Sequence, residues 1–236
     1  MNADKLSDRL NAVANNIPNG ARLADIGSDH AYLPCYMVNK GMIPMAIAGE
    51  IAEGPFQSAL EQVQEESLTN LITVRKGDGL EVIAPGEVDC ITIAGMGGSL
   101  ISSILEKGKS KLVGVRRLVL QPNVASFAVR RWLIDNGWEL LNEEILKEDR
   151  KIYEILVAEK GEPLKPYKGI DLESGMQFGP ILLREKSDVF MEKWKAERRN
   201  WQRILIQLDG ATQNEETEIK KKELKKKLKM AEEAFQ

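Results

Sequence analysis

The chain has 236 residues, 43% hydrophobic and 29% charged, with a net charge of −3; this excludes a disordered or fibrous protein and fits one large domain or a medium domain with an appendage. No apolar run reaches the roughly 18 residues of a membrane helix, and MNADKLSDRL lacks a signal-peptide core, so a cytoplasmic protein away from membranes is expected. Cys35 and Cys90 lie in apolar stretches and read as buried thiols, and with a single histidine in the chain no metal site is expected.

Leu6, Leu10, Val13 and Ile17 fall at helical spacing ahead of Pro18 and predict an amphipathic lead-in helix. Short β-rich runs then alternate with helical ones. They are RLADIG then YLPCYMVNKG, MAIAGE then PFQSALEQVQEES, LITVRKGDG, VDCITIAG then SLISSILEKG, and RRLVLQPN then SFAVRRWLIDNG. Such alternation predicts an α/β fold with a mostly parallel sheet covered by helices on both faces. WELLNEEILKEDRKIYEILVAEK instead holds two strand-like runs around the polar turn Lys147–Lys151, so the sheet is expected to end in an antiparallel pair.

Gly161, Pro163, Pro166 and Gly169 punctuate the next stretch like a linker, which predicts domains at 1–160 and 161–236. Farther on, Trp194, Trp201 and Leu208 stand seven apart, with Leu205 between the last two and Phe190 extending the stripe. Past the turn-like DGATQNEE, Leu224, Leu228, Ala231 and Phe235 repeat a 4-3-4 spacing, which predicts an antiparallel helical hairpin of coiled-coil type. From Pro180 onward 14 Lys and Arg face 11 Asp and Glu, against 19 and 25 in the remainder, so an acidic whole hides a basic tail.

The stretch LADIGSDHAYLP carries the most chemistry. A strand ends in Asp25 and Gly27 and passes through a polar turn into a helix, at the sheet edge where open α/β folds bind ligands. A dinucleotide would call for G-x-G-x-x-G, so that backbone N–H groups approach two phosphates. Only Gly27 is present; Ser28, Asp29 and His30 would crowd or repel a pyrophosphate, whereas a cationic sulfonium ligand tolerates them. Glu50, followed by Ile51, closes the strand MAIAGE, where an acid can accept both hydroxyls of an adenosine ribose. In Gly77-Asp78-Gly79 a carboxylate beside flexible glycines can accept from an adenine amino group, and in Ala94-Gly95-Met96 the glycine lets a cofactor or flipped base lie near the backbone.

DIGSDHAYLP, the Glu50 strand end, GDGL, AGMGG and QPN, in this order and spacing, resemble the TrmK family, bacterial tRNA methyltransferases acting on N1 of the adenine at position 22. The resemblance spans essentially the whole chain. It implies a seven-stranded class I, Rossmann-like methyltransferase domain with an appended helical hairpin, S-adenosyl-L-methionine as cofactor and tRNA as partner. It also implies that Asp25, Gly27, Glu50, Asp78 and Gly95 surround the cofactor, with Ser28, His30, Ile51, Gly77, Gly79, Ala94 and Met96 taken as their neighbours in the site. Asp29 is implied to lie where the target adenine meets the methyl group, as the candidate catalytic residue. The N-P-P-Y type sequence of many exocyclic-amine methyltransferases is missing after the fourth strand, which favours a ring nitrogen as target.

Plainer readings stand beside these. Asp25 and Gly27 suit a helix start after a tight turn, and Asp29 suits a helix dipole. Glu50 suits a solvent-exposed loop, Asp78 suits a turn, and His30 packs over the cofactor or caps the loop as readily as it moves a proton. Trp194 and Trp201 either stack on bases or form the hairpin seam. Candidate phosphate contacts are Arg198, Arg199, Lys220, Lys221 and Lys225 on the hairpin, Lys107, Lys109, Lys111, Arg116 and Arg117 before the fifth strand, and Arg9 on the lead-in helix; a solvated charged face is the alternative. Rival functions are an RNA-binding adaptor that has lost turnover and a nicotinamide-dependent oxidoreductase. The exposed charge of the hairpin points to a monomer.

Overall fold

The computed structural model describes residues 5–210 and 214–235. The chain divides into two compact units, one ending at Lys168 and the other starting at Gly169. In the first unit the lead-in helix α1 (Asp8–Asn15) starts where the Ser7 hydroxyl accepts from the Leu10 N–H. Its apolar face carries Val13 into the core, with Leu6 and Ile17 buried at either end. It ends before the expected proline because Asn16 caps it and turns its amide to Ala12 O and to Glu144.

Five parallel strands follow: β1 (Arg22–Ile26), β2 (Met45–Glu50), β3 (Ile72–Lys76), β4 (Cys90–Gly97) and β5 (Arg117–Val124). Their connections are α2 (Tyr32–Asn39), α3 (Glu53–Glu65), a short 3-10 turn at Gly79–Val82, α4 (Gly98–Lys107) and a second 3-10 turn at Lys109–Leu112. After α5 (Ser126–Asp135) come β6 (Trp138–Glu148) and β7 (Lys151–Lys160), antiparallel to each other, and β7 is antiparallel to β5. The order β3-β2-β1-β4-β5-β7-β6 is the expected parallel sheet closed by an antiparallel pair. The central strands are near-continuous apolar runs because both faces are covered. Cys35 and Cys90 are free and buried, and burial pushes both thiols up to about 12.

The hairpin turn is tighter than Lys147–Lys151. Pairing reaches Glu148 and Lys151, leaving only Asp149 and Arg150 at the corner, both left-handed with φ of 47° and 64°. Two left-handed residues match the twist of the strands they join, as a primed two-residue turn requires. Below the arm, Arg130 is fully buried against Glu143 at 2.6 Å and Glu154 at 2.7 Å, tying α5 to both strands.

The second unit holds α6 (Leu172–Phe178), α7 (Leu182–Glu185), α8 (Asp188–Asp209) and α9 (Glu215–Ala234). α6 and α7 were not foreseen, since Gly and Pro interrupt any helical period there. α8 and α9 form the expected antiparallel hairpin: Lys221 pairs with Asp209 at 3.0 Å and Phe235 packs 5.8 Å from Phe190. Trp194 and Trp201, 4% and 7% exposed and 6.0 Å apart, are the seam, which removes them as base-stacking platforms. Part of DGATQNEE, residues 211–213, lies outside the described residues.

Candidate active site

The sheet order reverses between β1 and β4: from β1 the chain proceeds outward to β2 and β3, and from β4 in the other direction to β5. The loops after these two neighbours therefore diverge and leave a crevice at the carboxyl edge. Gly27 and Met96 meet across it. A Cβ on Gly27 would stand 2.1 Å from Met96 Cε, the movable end of a flexible side chain, but Gly27 has φ +71°, and it is this backbone that demands glycine.

Asp25 lies beneath the first loop, 4% exposed. The Ser28 hydroxyl donates to its Oδ2 and the Thr92 hydroxyl to its Oδ1, each at 2.6 Å. Burial pushes this carboxyl up, while the two hydroxyls and the charge of Arg9 pull it back. Its geometry is that of a pin holding the loop to β4. The loop rises from the pin: the backbone N–H groups of Gly27 and Ser28 donate to Gly49 O, and Asp29 and Ala31 take left-handed φ of 57° and 52°.

Asp29 donates its backbone N–H to the Glu50 carboxylate and leaves its own side chain 71% exposed. It precedes α2 by three residues, and Ala31 caps that helix, so Asp29 is not the helix-opening acid of the plainer reading. His30 stacks on Tyr32 with centroids 5.1 Å apart, its Nε2 3.9 Å from Asp29 Oδ1. Glu50 is 7% exposed, so the exposed-loop reading does not hold for it. Burial raises its carboxyl, as do the charges of Asp29 and Asp25, against hydrogen bonds from the Asp29 and Ile51 backbone. Ile51 itself is 62% exposed.

At the third strand end Gly77 N–H donates to Glu50 O at 2.9 Å. Asp78 opens the 3-10 turn: its N–H donates to Glu81 Oε2 at 3.3 Å, and its carboxylate stands 3.6 Å from Lys107 Nζ. A Cβ on Gly79 would press on Ile104 at 2.8 Å. At the fourth, the ladder is irregular on both sides of Met96, and Gly95, φ +79°, bulges outward from Ala94. Its peptide is held from both ends. The fully buried Gln121 accepts the Gly95 N–H at 3.0 Å, and the Asn123 amide donates to Gly95 O at 2.7 Å. Gln121 also donates to Asn123 at 3.1 Å and accepts from Arg9 at 2.7 Å.

Thr92 and the Gln121–Asn123 pair were missed as site residues, although QPN was noticed. The signal was there: a lone polar side chain inside an otherwise apolar parallel strand must find a buried partner.

The expected phosphate contacts separate. Arg9 is turned inward to Gln121 and over the Tyr153 ring at 5.5 Å. Arg117 pairs with Glu159 and donates to Asn16 O at the amino edge of the sheet, away from the crevice, and Lys111 is bonded to Ile83 O at 2.8 Å. Lys109 stands 3.8 Å from Glu106, and Arg116 is exposed. In the second unit Lys221, 8% exposed, is held by Asp209 and Glu218, and Lys220 pairs with Glu216 at 2.6 Å. Arg198 is half-buried, whereas Arg199 and Lys225 are exposed. A groove of about 700 Å³ lined by Gly20, Met42, Pro44 and Leu71 also lies at the amino edge, remote from these strand ends. Among the described residues no cluster of three or more His, Cys, Asp or Glu could hold a metal, and no helix is long and apolar enough to cross a membrane.

The donor set fits an adenosine ligand with a cationic sulfur. Three carboxylates, Asp25, Asp29 and Glu50, surround a loop in which the glycine at the crevice leaves room only for backbone, and a diphosphate would meet repulsion there. Residues 23–233 match the family model for TrmK, tRNA (adenine(22)-N(1))-methyltransferase. The tRNA (adenine(22)-N(1))-methyltransferase of Bacillus subtilis is 52% identical over 235 residues, 100% of this chain and 99% of that protein. The crystal structure of the B. subtilis m1A22 tRNA methyltransferase TrmK superposes with a TM-score of 0.95 at 51% identity, covering 99% and 100% of the two chains. A putative tRNA (m1A22) methyltransferase of Streptococcus pneumoniae, solved in complex with S-adenosyl-L-methionine, gives 0.86 at 41% identity over 98% and 100%. With the crevice, its carboxylates and these likenesses in agreement along the full chain, the protein belongs to the TrmK family of tRNA (adenine(22)-N(1))-methyltransferases.

Proposed function

We propose that the crevice between the ends of β1 and β4 carries the transfer of a methyl group from S-adenosyl-L-methionine to N1 of adenine 22 in tRNA. The observation that carries this reading is the meeting of Gly27 and Met96, with the exposed Asp29 carboxylate on one side and the held Gly95 peptide on the other. Glu50 and Asp78 hold the adenosine part, Gly27 and Gly95 give it backbone-close walls, and Ser28, His30, Ile51, Gly77, Gly79, Ala94 and Met96 complete the lining. Asp25 keeps the first loop in place through Ser28 and Thr92. When bound, the cofactor supplies an electrophilic methyl carbon on a positively charged sulfur.

Adenine N1 has a free lone pair at neutral pH, so no residue of the chain has to remove a proton before attack. What the protein must supply is alignment and relief of the positive charge that the ring gains as the N1–C bond forms and the C–S bond breaks. Asp29 is the group at the rim that takes up that charge. The target base has to leave its stack to reach Asp29 and Gly95. The exposed cations Arg199 and Lys225 and the basic groups Lys107, Lys109 and Arg116 are the phosphate contacts of this reading, with Arg117 and Lys221 kept for internal ion pairs. The enzyme works as a cytoplasmic monomer and needs no metal, because neither nucleophile nor leaving group calls for a Lewis acid.

The test is incubation with methyl-labelled cofactor and two tRNA transcripts, one with A22 and one with G22, followed by nucleoside mass spectrometry. 1-Methyladenosine in the first alone is expected; cofactor binding without labelling of either would sink the reading and leave the adaptor alternative.

A further inference from the structure

The antiparallel pair β6–β7 does more than close the sheet. Its pairing with β5 stops at Leu120 opposite Leu156, yet β6 and β7 go on pairing to Glu148 opposite Lys151. The arm thus projects five residues farther, about 17 Å at roughly 3.3–3.4 Å per residue. Because β7 runs against β5, this extension lies toward the carboxyl end of β5, the end that carries Gln121 and Asn123. Its inner side is tied to the crevice: Tyr153 lies 5.5 Å beneath the Arg9 guanidinium that reaches Gln121. Its tip is fastened to α1, where the Asp8 N–H donates to Glu148 at 2.6 Å.

The end of this arm carries three cations, Lys147, Arg150 and Lys151, against two acids, Glu148 and Asp149. Lys147, Arg150 and Lys151 are all exposed, and the side chains of Arg150 and Lys151 make no hydrogen bond, ion pair or ring contact with another described residue. Of the two acids, Glu148 accepts from the Asp8 N–H on α1, and Asp149 is the exposed first residue of the turn. Arg150 also sits in a left-handed conformation, φ 64°, which a primed turn gives to glycine at far less strain. A left-handed, unpaired cation on an arm anchored to α1, beside the crevice proposed to take the target base, suits a polyanion as its partner. We infer that the β6–β7 arm is a phosphate-gripping element, in which Arg150 and Lys151 hold the RNA backbone next to the flipped nucleotide. This rests on the function proposed above and adds to it a contact on the β6–β7 side of the crevice.

The experiment compares the wild-type protein with Arg150→Gly, Lys151→Ser, the double variant and Arg150→Lys, using one A22 tRNA transcript. Arg150→Gly separates charge from geometry, because glycine relieves the turn while removing the cation. It is expected to melt at a higher temperature and still bind tRNA more weakly. For the double variant the KM for tRNA rises on the order of tenfold with kcat and cofactor affinity unchanged, and the slope of log affinity against log salt becomes shallower by about 1.5. Arg150→Lys keeps the wild-type slope. Unchanged tRNA KM and salt slope in the double variant would overturn the inference, as would a loss of kcat and cofactor binding with tRNA affinity intact. A wild-type protein that does not methylate the transcript would bring down the proposed function first, and the arm's role with it.

Discussion

Arg9 and Gln121, 112 positions apart, meet through a 2.7 Å hydrogen bond from the guanidinium to the side-chain oxygen, and the same oxygen accepts the Gly95 N–H at 3.0 Å. One buried amide thus couples the lead-in helix to the peptide that lines the crevice. Gln121→Leu keeps the volume and removes both acceptor and donor, so Gly95 N–H and Arg9 lose their partner. A stability loss of about 1–3 kcal/mol is expected in urea unfolding. Because the Gly95 loop loosens, kcat should fall more than cofactor affinity; equal activity and stability would refute the coupling.

Asp29→Asn suits the left-handed backbone at this position and keeps the N–H bond to Glu50 while removing the charge. If the carboxylate takes up the ring charge, kcat falls by about 10²–10³-fold with cofactor affinity held within a few-fold. Isothermal titration with S-adenosyl-L-methionine and single-turnover methylation read the two quantities separately, and full activity would remove Asp29 from the mechanism.

The Arg22 side chain donates to Asp89 at 3.0 and 2.8 Å, and this hydrogen bonding holds the Asp89 carboxyl down at about 2. A lowered folded-state value stabilises the fold above the unfolded carboxyl range near pH 4, and the contribution is lost as the pH falls toward 2. Asp89→Asn should therefore cost on the order of 1–2 kcal/mol at pH 7 and flatten the loss of stability between pH 4 and 2. Asp25 and Glu50, raised by burial, act in the opposite sense: their contribution is largest at low pH and falls as the pH rises through their folded values. Thermal melts across this range check both signs.

Arg130→Met leaves Glu143 and Glu154 buried without their guanidinium, a loss expected at about 3–5 kcal/mol. The triple change Arg130→Met, Glu143→Leu, Glu154→Leu removes every buried charge of the cluster and should recover most of it. A triple variant as unstable as the single one would show that the cluster's worth lies in its geometry and not in charge compensation. Denaturant midpoints at fixed m-value decide between these.

The sequence alone determined the parallel strands, their helices and the long helical hairpin, though not α6 and α7, since periodicity and turn residues are local and an open α/β sheet presents its strand ends at one edge. Asp25, Gly27, Asp29, Glu50, Asp78 and Gly95 could be placed at that edge from their position after an apolar run. The coiled-coil seam was legible for the same reason, because Trp194 and Trp201 repeat every seven residues. What only the tertiary structure decided were the partners of polar groups across long separations. Arg9 turned inward because Gln121 is buried within its reach, Lys221 was drawn into the hairpin by Asp209 and Glu218, and Arg117 found Glu159 on the neighbouring strand. Such pairings depend on which elements lie side by side, so no local pattern announces them. The two-residue corner at Asp149 and Arg150 belongs with them: strand register, set by pairing along the whole length of β6 and β7, left just these residues to turn the chain.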